Sequence, residues 1–428
     1  MEELKNVKGS KDYGGKEQIL RNYISDTLRS IFEKYGYEPL ETAELCYYDL
    51  LSLKYEEDNE ILNEIYKVKD QANRNLALRY DLTVPFAKYI ALNQNIKLPY
   101  KRYEIGKVFR DGPVKKGRVR EFIQCDVDCV GIDGQMIEAE MISIFADGYG
   151  KLGIDVMIKY NNRKIMSGLI EISGIDKEKV SDTITVIDKL EKISEEEAKQ
   201  EFLNIGLKEK QIKLLMESLN MSLEEITINL KNSGNKNLNE GLQEINQLNE
   251  YIKGLNLKKC VEFVPTLARG QEYYTGTVFE VYTKDKIITS SIGGGGRYDN
   301  MIGDFINDGK KYPAVGISFG LDAIFEILKN NELPKTKENV YIVPMSNKMY
   351  AMKIAKKLRK NNINVEIEMN DRKLKKSLNY ANSKGFQWVI IIGEEELKEN
   401  KIILKNMKSG EQLRIKMEEL KNVYNFLH

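Results

Sequence analysis

The chain has 428 residues, 42% of them hydrophobic and 31% charged, and its 66 lysines and arginines against 65 aspartates and glutamates leave a net charge of +1. Such a length suggests about three domains and a sizeable core, which excludes a disulfide-stapled peptide, and the near-neutral balance excludes wholesale attraction to polyanions or anionic membranes. Any basic surface must be local. No apolar run approaches the roughly 18 residues of a spanning helix, and Met1-Glu2-Glu3-Leu4-Lys5 opens acidic with no apolar stretch behind it. The expectation is a soluble, cytoplasmic protein with no membrane partner.

Four cysteines, Cys46, Cys125, Cys129 and Cys260, fit a reducing compartment, and the single histidine is His428. Only Cys125 and Cys129 lie close together, and a structural zinc would need two further thiolate or imidazole ligands beside them, so no permanent metal is expected. The same counts remove every Ser-His, Cys-His and histidine general-base mechanism. Carboxylates, lysines, tyrosines, arginines or a bound metal ion are left to carry the chemistry.

In chain order, Lys16 to Lys34 spaces Ile19, Leu20, Tyr23, Ile24, Leu28, Ile31 and Phe32 as an amphipathic helix that stops at Tyr35-Gly36. Strands are predicted at Leu76 to Tyr80, Arg102 to Arg110 and Arg120 to Asp128, the last two joined as a hairpin through Asp111-Gly112-Pro113 and Gly117. Ser173 to Leu255 turns polar and helically periodic, an inserted helical module. Further strands are expected at Thr275 to Tyr282 and Ile287 to Ile292, followed by the four glycines Gly293 to Gly296. A break at Asn331 to Lys335 precedes a compact α/β domain. It has strands at Val340 to Pro344, Val365 to Met369 and Trp388 to Ile392, helices at Lys348 to Lys360 and Lys373 to Ser383, two further strands at Ile402 to Asn406 and Gln412 to Ile415, and a closing helix. The right-handed crossover rule makes its first strands parallel.

Two stretches carry chemistry. Arg110, Lys115, Lys116, Arg118 and Arg120 crowd one hairpin turn, a grip suited to phosphate, with Phe122 on the same strand offering a flat face for a base. The same pattern also serves a solvated hairpin tip. Arg269-Gly270-Gln271-Glu272-Tyr273-Tyr274 is an unusual entry into a strand: an arginine beside a glycine can approach a ligand closely, and paired tyrosines pack flat while offering hydroxyls. An edge strand bridging core and water reads similarly. Gly293 to Gly296 lacks the order of a dinucleotide loop, and its glycines are better suited to letting a strand pass close to a small ligand.

Phe109-Arg110 through Gly117-Arg118-Val119-Arg120-Glu121-Phe122-Ile123-Gln124 resembles motif 2 of the class II aminoacyl-tRNA synthetases. Ala268-Arg269-Gly270 through Tyr273-Tyr274-Thr275-Gly276, with Gly294-Gly295-Gly296-Arg297-Tyr298-Asp299, resembles the signature of the histidyl-tRNA synthetase family, and the likeness runs from Lys8-Gly9-Ser10-Lys11-Asp12 to the last domain. The resemblance implies an α+β class II catalytic domain, an antiparallel sheet flanked by helices, over residues 1–330 and interrupted by a helical insertion at 173–255. A linker at 331–336 and a C-terminal α/β anticodon-binding domain at 337–428 would complete a homodimer-forming chain. It further implies ATP-dependent activation of L-histidine, with Mg2+ on the nucleotide, and transfer to the 3' end of tRNA-His. By position, Arg110 and Arg269 would be catalytic. Asp81, Leu82, Thr83, Arg110, Gln124, Asp128, Arg269, Tyr273 and Tyr274 would hold histidine, and Arg110, Arg118, Arg120 and Phe122 would hold ATP.

Three positions depart from the family pattern. Ala323 stands where an arginine on the γ-phosphate is expected, Ala43 where a proline lies at the dimer interface, and Gly112 where an acidic residue touches adenine. Nearby lysines, Arg118 or Arg297 are candidates to compensate. A catalytically silent paralogue, serving as a regulatory subunit in histidine biosynthesis or sensing uncharged tRNA, is the alternative reading.

Overall fold

The structure, a computed structural model, describes residues 4–52, 60–114, 117–190, 192–269, 273–331 and 339–422. Lys115, Lys116, Gly270, Gln271, Glu272, the break after Asn331 and His428 lie outside these residues. The chain divides into two units, Met1–Asn331 and Glu332–His428.

The first unit is built on an eight-stranded sheet. Its spatial order is Glu38–Pro39, Tyr100–Phe109, Glu121–Val130, Ala314–Gly320, Gly293–Arg297, Thr277–Thr283, Val156–Asn162 and Val261–Phe263. The internal pairings are antiparallel, and the two edge strands are added in parallel. Side chains alternate between faces along a strand, and one face carries Tyr103, Cys125, Val127, Ile317 and Phe319. Helices Lys16–Lys34, Met136–Lys151 and Leu321–Leu328 pack on it. Phe319 lies within 5.7 Å of the Phe32 ring and 4.9 Å of Phe145 and Tyr149. The first of these helices forms as its spacing predicts, burying Leu20, Ile24, Leu28, Ile31 and Phe32. It ends where Gly36 takes a left-handed φ of 78°.

The strand expected at Ile287 to Ile292 does not form; the glycine run itself is the strand, paired on both sides with Phe279 and Ile317 opposite Gly295. Glycine is a poor strand former in isolation, but here its missing side chains leave the space that neighbouring residues fill, as shown below. The Tyr100–Phe109 and Glu121–Val130 strands pair as a hairpin from Tyr100 opposite Val130 to Phe109 opposite Glu121. The polar stretch after the Arg163–Ile172 helix is a succession of helices, two of them headed by capping boxes at Ser194 with Glu197 and Ser222 with Glu225. The last, Lys236–Gly254, crosses the Arg163–Ile172 helix closely enough that a Cβ on Gly168 would stand 2.7 Å from the Leu238 nitrogen.

The second unit is a five-stranded sheet with Asn339–Pro344 parallel to both Asn364–Ile367 and Trp388–Ile392, then antiparallel Lys401–Asn406 and Gln412–Lys416. Val340, Ile342, Ile390 and Ile402 pack against Ile354 and Leu358 of the Lys348–Lys360 helix. Tyr341, Val343, Val389 and Ile391 face Ala381 of the Leu374–Ser383 helix. The closing helix is a 3-10 segment over Met417–Asn422.

Candidate active site

The open face of the large sheet follows from its register. Across the strands, one row runs Arg102, Asp128, Gly316, Gly296 and Val278; the next runs Glu104, Asp126, Ser318, Gly294 and Glu280; a third runs Gly106, Gln124 and Gly320. Acidic and amide side chains thus stand on the Glu121–Val130 strand, and bare backbone lies beside them. The glycines are floors for named groups. A Cβ on Gly294 would overlap the Arg269 guanidinium, one on Gly296 would press on the Tyr274 ring, one on Gly316 would overlap the Asp128 carboxylate, and one on Gly106 would overlap Arg79.

Beneath this surface an ionic chain fixes the carboxylates. Arg79 Nη1 lies 2.8 Å from Glu104 Oε1, Arg102 reaches Glu104 at 3.5 Å and Asp128 at 2.7 Å, and the Tyr298 hydroxyl donates to Asp128 at 2.6 Å. All five side chains are buried. Arg102 also donates to the Leu82 carbonyl at 3.0 Å. Removing one partner of a buried pair leaves the other charge uncompensated, at a cost of about 3–5 kcal/mol. Arg102→Met is therefore expected to lower stability by about that amount, read as a shift in the denaturation midpoint at unchanged slope. A loss under about 1 kcal/mol would mean that the chain contributes nothing net.

The residues about the site divide into three groups. Asp81, Gln124, Tyr274 and Arg269 lie about the glycine floor, and Thr83 opens the helix that follows Asp81. Asp81 Oδ1 accepts from the Val84 amide at 3.0 Å, in the first turn of the Thr83–Leu92 helix, leaving Oδ2 without a partner among the described residues. Gln124 Nε2 donates to the Ser318 hydroxyl at 3.0 Å, while its Oε1 is unpaired. Arg269 is paired with Glu280 at 3.0 Å, and the Tyr273 and Tyr274 rings pack at 4.7 Å. Burial raises the carboxyls of Asp81, Asp126 and Asp128 above the ordinary range, that of Asp126 well above it because Asp128 stands beside it. Arg110 sits over Tyr80 at 4.2 Å and Phe122 at 5.2 Å, donates to the Tyr80 carbonyl at 3.2 Å, and has no carboxylate partner among the described residues.

A second group is engaged in contacts of its own. Leu82 is wholly buried and gives its carbonyl to Arg102, so it scaffolds the floor rather than lining it. Arg118 is half-exposed on a salt bridge to Glu64 at 2.9 Å, and Arg120 is held by Asp111 at 3.0 Å and the Gly112 carbonyl at 3.2 Å. Arg297, a candidate to compensate for Ala323, points to the opposite sheet face. There Glu138 lies 2.7 Å away, Asp299 lies 3.1 Å away, and the Gly134 carbonyl accepts at 3.0 Å. It is not available to a phosphate. Beside buried Ala323, Asp322 is taken up by Arg21 at 2.5 Å, the Tyr13 hydroxyl at 3.0 Å and the Ile123 amide at 2.9 Å. The Arg21 guanidinium beside Asp322 is thus already paired.

The third group escaped the sequence reading: Arg79, Arg102, Glu104, Asp126, Glu280, Tyr298 and Ser318. One signal was available. Gln-Cys-Asp-Val-Asp at 124–128 places three polar side chains on one face of a strand whose other face is apolar.

A family model described as histidyl-tRNA synthetase matches residues 9–324, and one described as an anticodon binding domain matches 339–425. The chain belongs to the histidyl-tRNA synthetase family. It is 47% identical over 426 residues to histidine-tRNA ligase 1 of Bacillus cereus, covering 99% of this chain and 98% of that one. It is 39% identical to histidine-tRNA ligase 2 of Shouchella clausii, covering 95% and 97%. Among solved structures, the histidyl-tRNA synthetase of Nostoc sp. superposes with a TM-score of 0.84 at 29% identity over 99% of each chain. A Bacillus halodurans protein titled ATP phosphoribosyltransferase regulatory subunit/histidyl-tRNA synthetase shares the fold, at a TM-score of 0.75 and 20% identity.

Proposed function

We propose that this chain is a histidine-tRNA ligase: it activates L-histidine with ATP to histidyl-adenylate and transfers the histidyl group to tRNA-His. The observation that carries the reading is the set of unsatisfied groups over the glycine floor, Asp81 Oδ2, Gln124 Oε1 and the unpaired Arg110 guanidinium, which match an ammonium and a carboxylate held together. Attack of the amino-acid carboxylate on the α-phosphate builds negative charge at phosphorus, so fixed cations lower the barrier. Arg110 holds the carboxylate against that phosphate, Arg269 faces the phosphoryl group, and Phe122 offers its ring to adenine. The absent histidine bases are no obstacle, because the nucleophile is already ionised.

Mg2+ supplies charge neutralisation on the phosphates when bound. The acid beside Arg269 is the single carboxylate Glu280, and no group of three metal-ligating side chains occurs among the described residues. That suits an ion carried in by nucleotide phosphates rather than a resident metal. The second unit would engage the anticodon of tRNA-His. A second copy of the chain is the proposed occupant of the small sheet of Leu45–Tyr47, Asn75–Leu78 and Lys67–Lys69, where Leu45, Tyr47 and Val68 are exposed. This face adjoins Ala43, in the segment where the family resemblance puts the dimer contact. No helix among the described residues is long and apolar enough to cross a membrane, and the cytoplasm, where tRNA is charged, is the proposed location. The regulatory alternative is not favoured, since the close relatives are named as ligases along their whole length and the anticodon-domain match is present.

The test is histidine-dependent exchange of labelled pyrophosphate into ATP by the purified chain. Exchange that needs histidine is expected despite Ala323; histidine binding without exchange would instead establish the silent paralogue.

A further inference from the structure

The charges of the trough can be paired off one by one. Arg79 and Arg102 match Glu104 and Asp128, and Arg269 matches Glu280. Resting on the histidine-activating reading above, Asp81 takes the substrate ammonium and Arg110 its carboxylate. One ionisable side chain is left over. Asp126 is 3% exposed, its Oδ1 has no hydrogen-bond partner and it forms no salt bridge among the described residues, Arg102 acting on it only through space. It stands in the row between Glu104 and Ser318, two strands from Gly294, so no side chain from the glycine strand covers it. Asp128, which the family likeness places among the histidine-holding residues, accepts from Tyr298 at one oxygen and has Arg102 2.7 Å from the other, so its charge is matched although that second oxygen also lacks a hydrogen bond.

We propose that Asp126 is the countercharge for the substrate ring, so that histidine is taken up as its imidazolium and is selected by basicity as well as by shape. Ser318, which accepts from Gln124, stands opposite Asp126 on the neighbouring strand. Asp126 keeps its own proton opposite a ring of the same size that cannot take one up, and that ring forgoes the ion pair that histidine gains. A neutral amide or a phenyl ring of similar reach likewise cannot form that ion pair.

The groups facing Asp126 are Asp81, Arg102, Glu104, Asp128, Tyr274, Tyr298 and Ser318. Burial and Asp128 raise its carboxyl well above the ordinary value, so the folded chain holds that proton more tightly than the unfolded chain does. The stability so contributed is complete below about pH 3.9 and is lost as pH rises through the raised value. An amide at this position escapes that loss. Asp126→Asn should therefore melt no lower than the parent near neutral pH, which separates a binding role from a structural one.

The experiment compares the full-length parent with Asp126→Asn in pyrophosphate exchange, using histidine and its weakly basic isostere 1,2,4-triazolyl-3-alanine. The variant is expected to raise KM for histidine by about 10- to 100-fold, to leave KM for ATP within about twofold, and to lose most of the parent's preference for histidine over the triazole. A histidine KM within about threefold of the parent overturns the proposal, as does a parallel rise in both KM values or an equal loss for both amino acids. If the parent itself shows no exchange, the ligase reading fails. Calorimetric titration of histidine onto both chains then decides the role of Asp126: weaker binding to the variant supports it, and equal or absent binding to the parent and variant overturns it.

Discussion

Arg269→Ala is expected to reduce the rate of histidine-dependent pyrophosphate exchange by about 100- to 1,000-fold, the usual effect of deleting one preorganised group that meets developing charge. Histidine should still bind, because the ammonium and carboxylate partners proposed here, Asp81 and Arg110, come from other elements. The guanidinium is positioned before any substrate arrives: it lies over Gly294, 3.0 Å from Glu280 Oε1, with Tyr274 beside it at 5.9 Å. Glu280 is in turn bonded by the Tyr282 hydroxyl, which orients the pair. An approaching phosphate can therefore draw on a cation whose entropy of ordering has already been spent. A fall in kcat with KM for histidine nearly unchanged is the signature of this role. Equal losses in rate and binding would instead place Arg269 in ground-state recognition.

Gly294→Ala and Gly295→Ala, neighbours in one strand, are expected to fail in different ways. At Gly294 the new methyl group enters the space of Arg269 Nη1 and comes 2.8 Å from the Phe279 carbonyl. The side chain can swing away more easily than the backbone, so exchange activity should fall by about 100-fold, as for deletion of the arginine, with a smaller loss of stability. At Gly295 the methyl group would meet the Gly316 carbonyl and lie 2.7 Å from the Ile317 Cα, backbone on the neighbouring strand with no rotamer to change. Overpacking there should cost about 3 kcal/mol or more and appear as insoluble or low-melting protein. Comparable melting of the two variants would show that the strand is not pinned between its partners as described.

How much of this was legible beforehand depends on which interactions are local. The Lys16–Lys34 helix, the 100–130 hairpin and the alternating elements of the second unit follow from periodicity and turn residues, and they occur where the pattern puts them. The glycine run read as strand backbone passing close to a ligand, but its pairing with Thr277–Thr283 and Ala314–Gly320 on either side was not visible in the pattern. Arg79, Arg102 and Glu104 look like ordinary strand charges in sequence, and only the cross-strand register shows them joined under the trough. The basic hairpin illustrates the opposite error. Arg118 and Arg120 counted equally with Arg110 in sequence, but the structure gives each of them an acid, Glu64 and Asp111, and leaves Arg110 alone unmatched among the three. Charge type was visible from composition, whereas charge availability was not.

The groups that meet over the glycine floor come from positions 81, 110, 126, 269 and 294, and the ionic chain beneath them ties residue 79 to residue 298. Apart from Arg102 with Glu104 and Arg269 with Glu280, these meetings join residues far apart in the chain, so the trough is complete only after long loops have closed, the slow class of event in chain collapse. A substrate that recognises the trough therefore recognises completed sheet pairing and nothing earlier, and by mass action it draws the population toward that state. Amino-acid occupancy is thus a readout of finished folding, and supply of the free amino acid is a means of protecting the newly made chain.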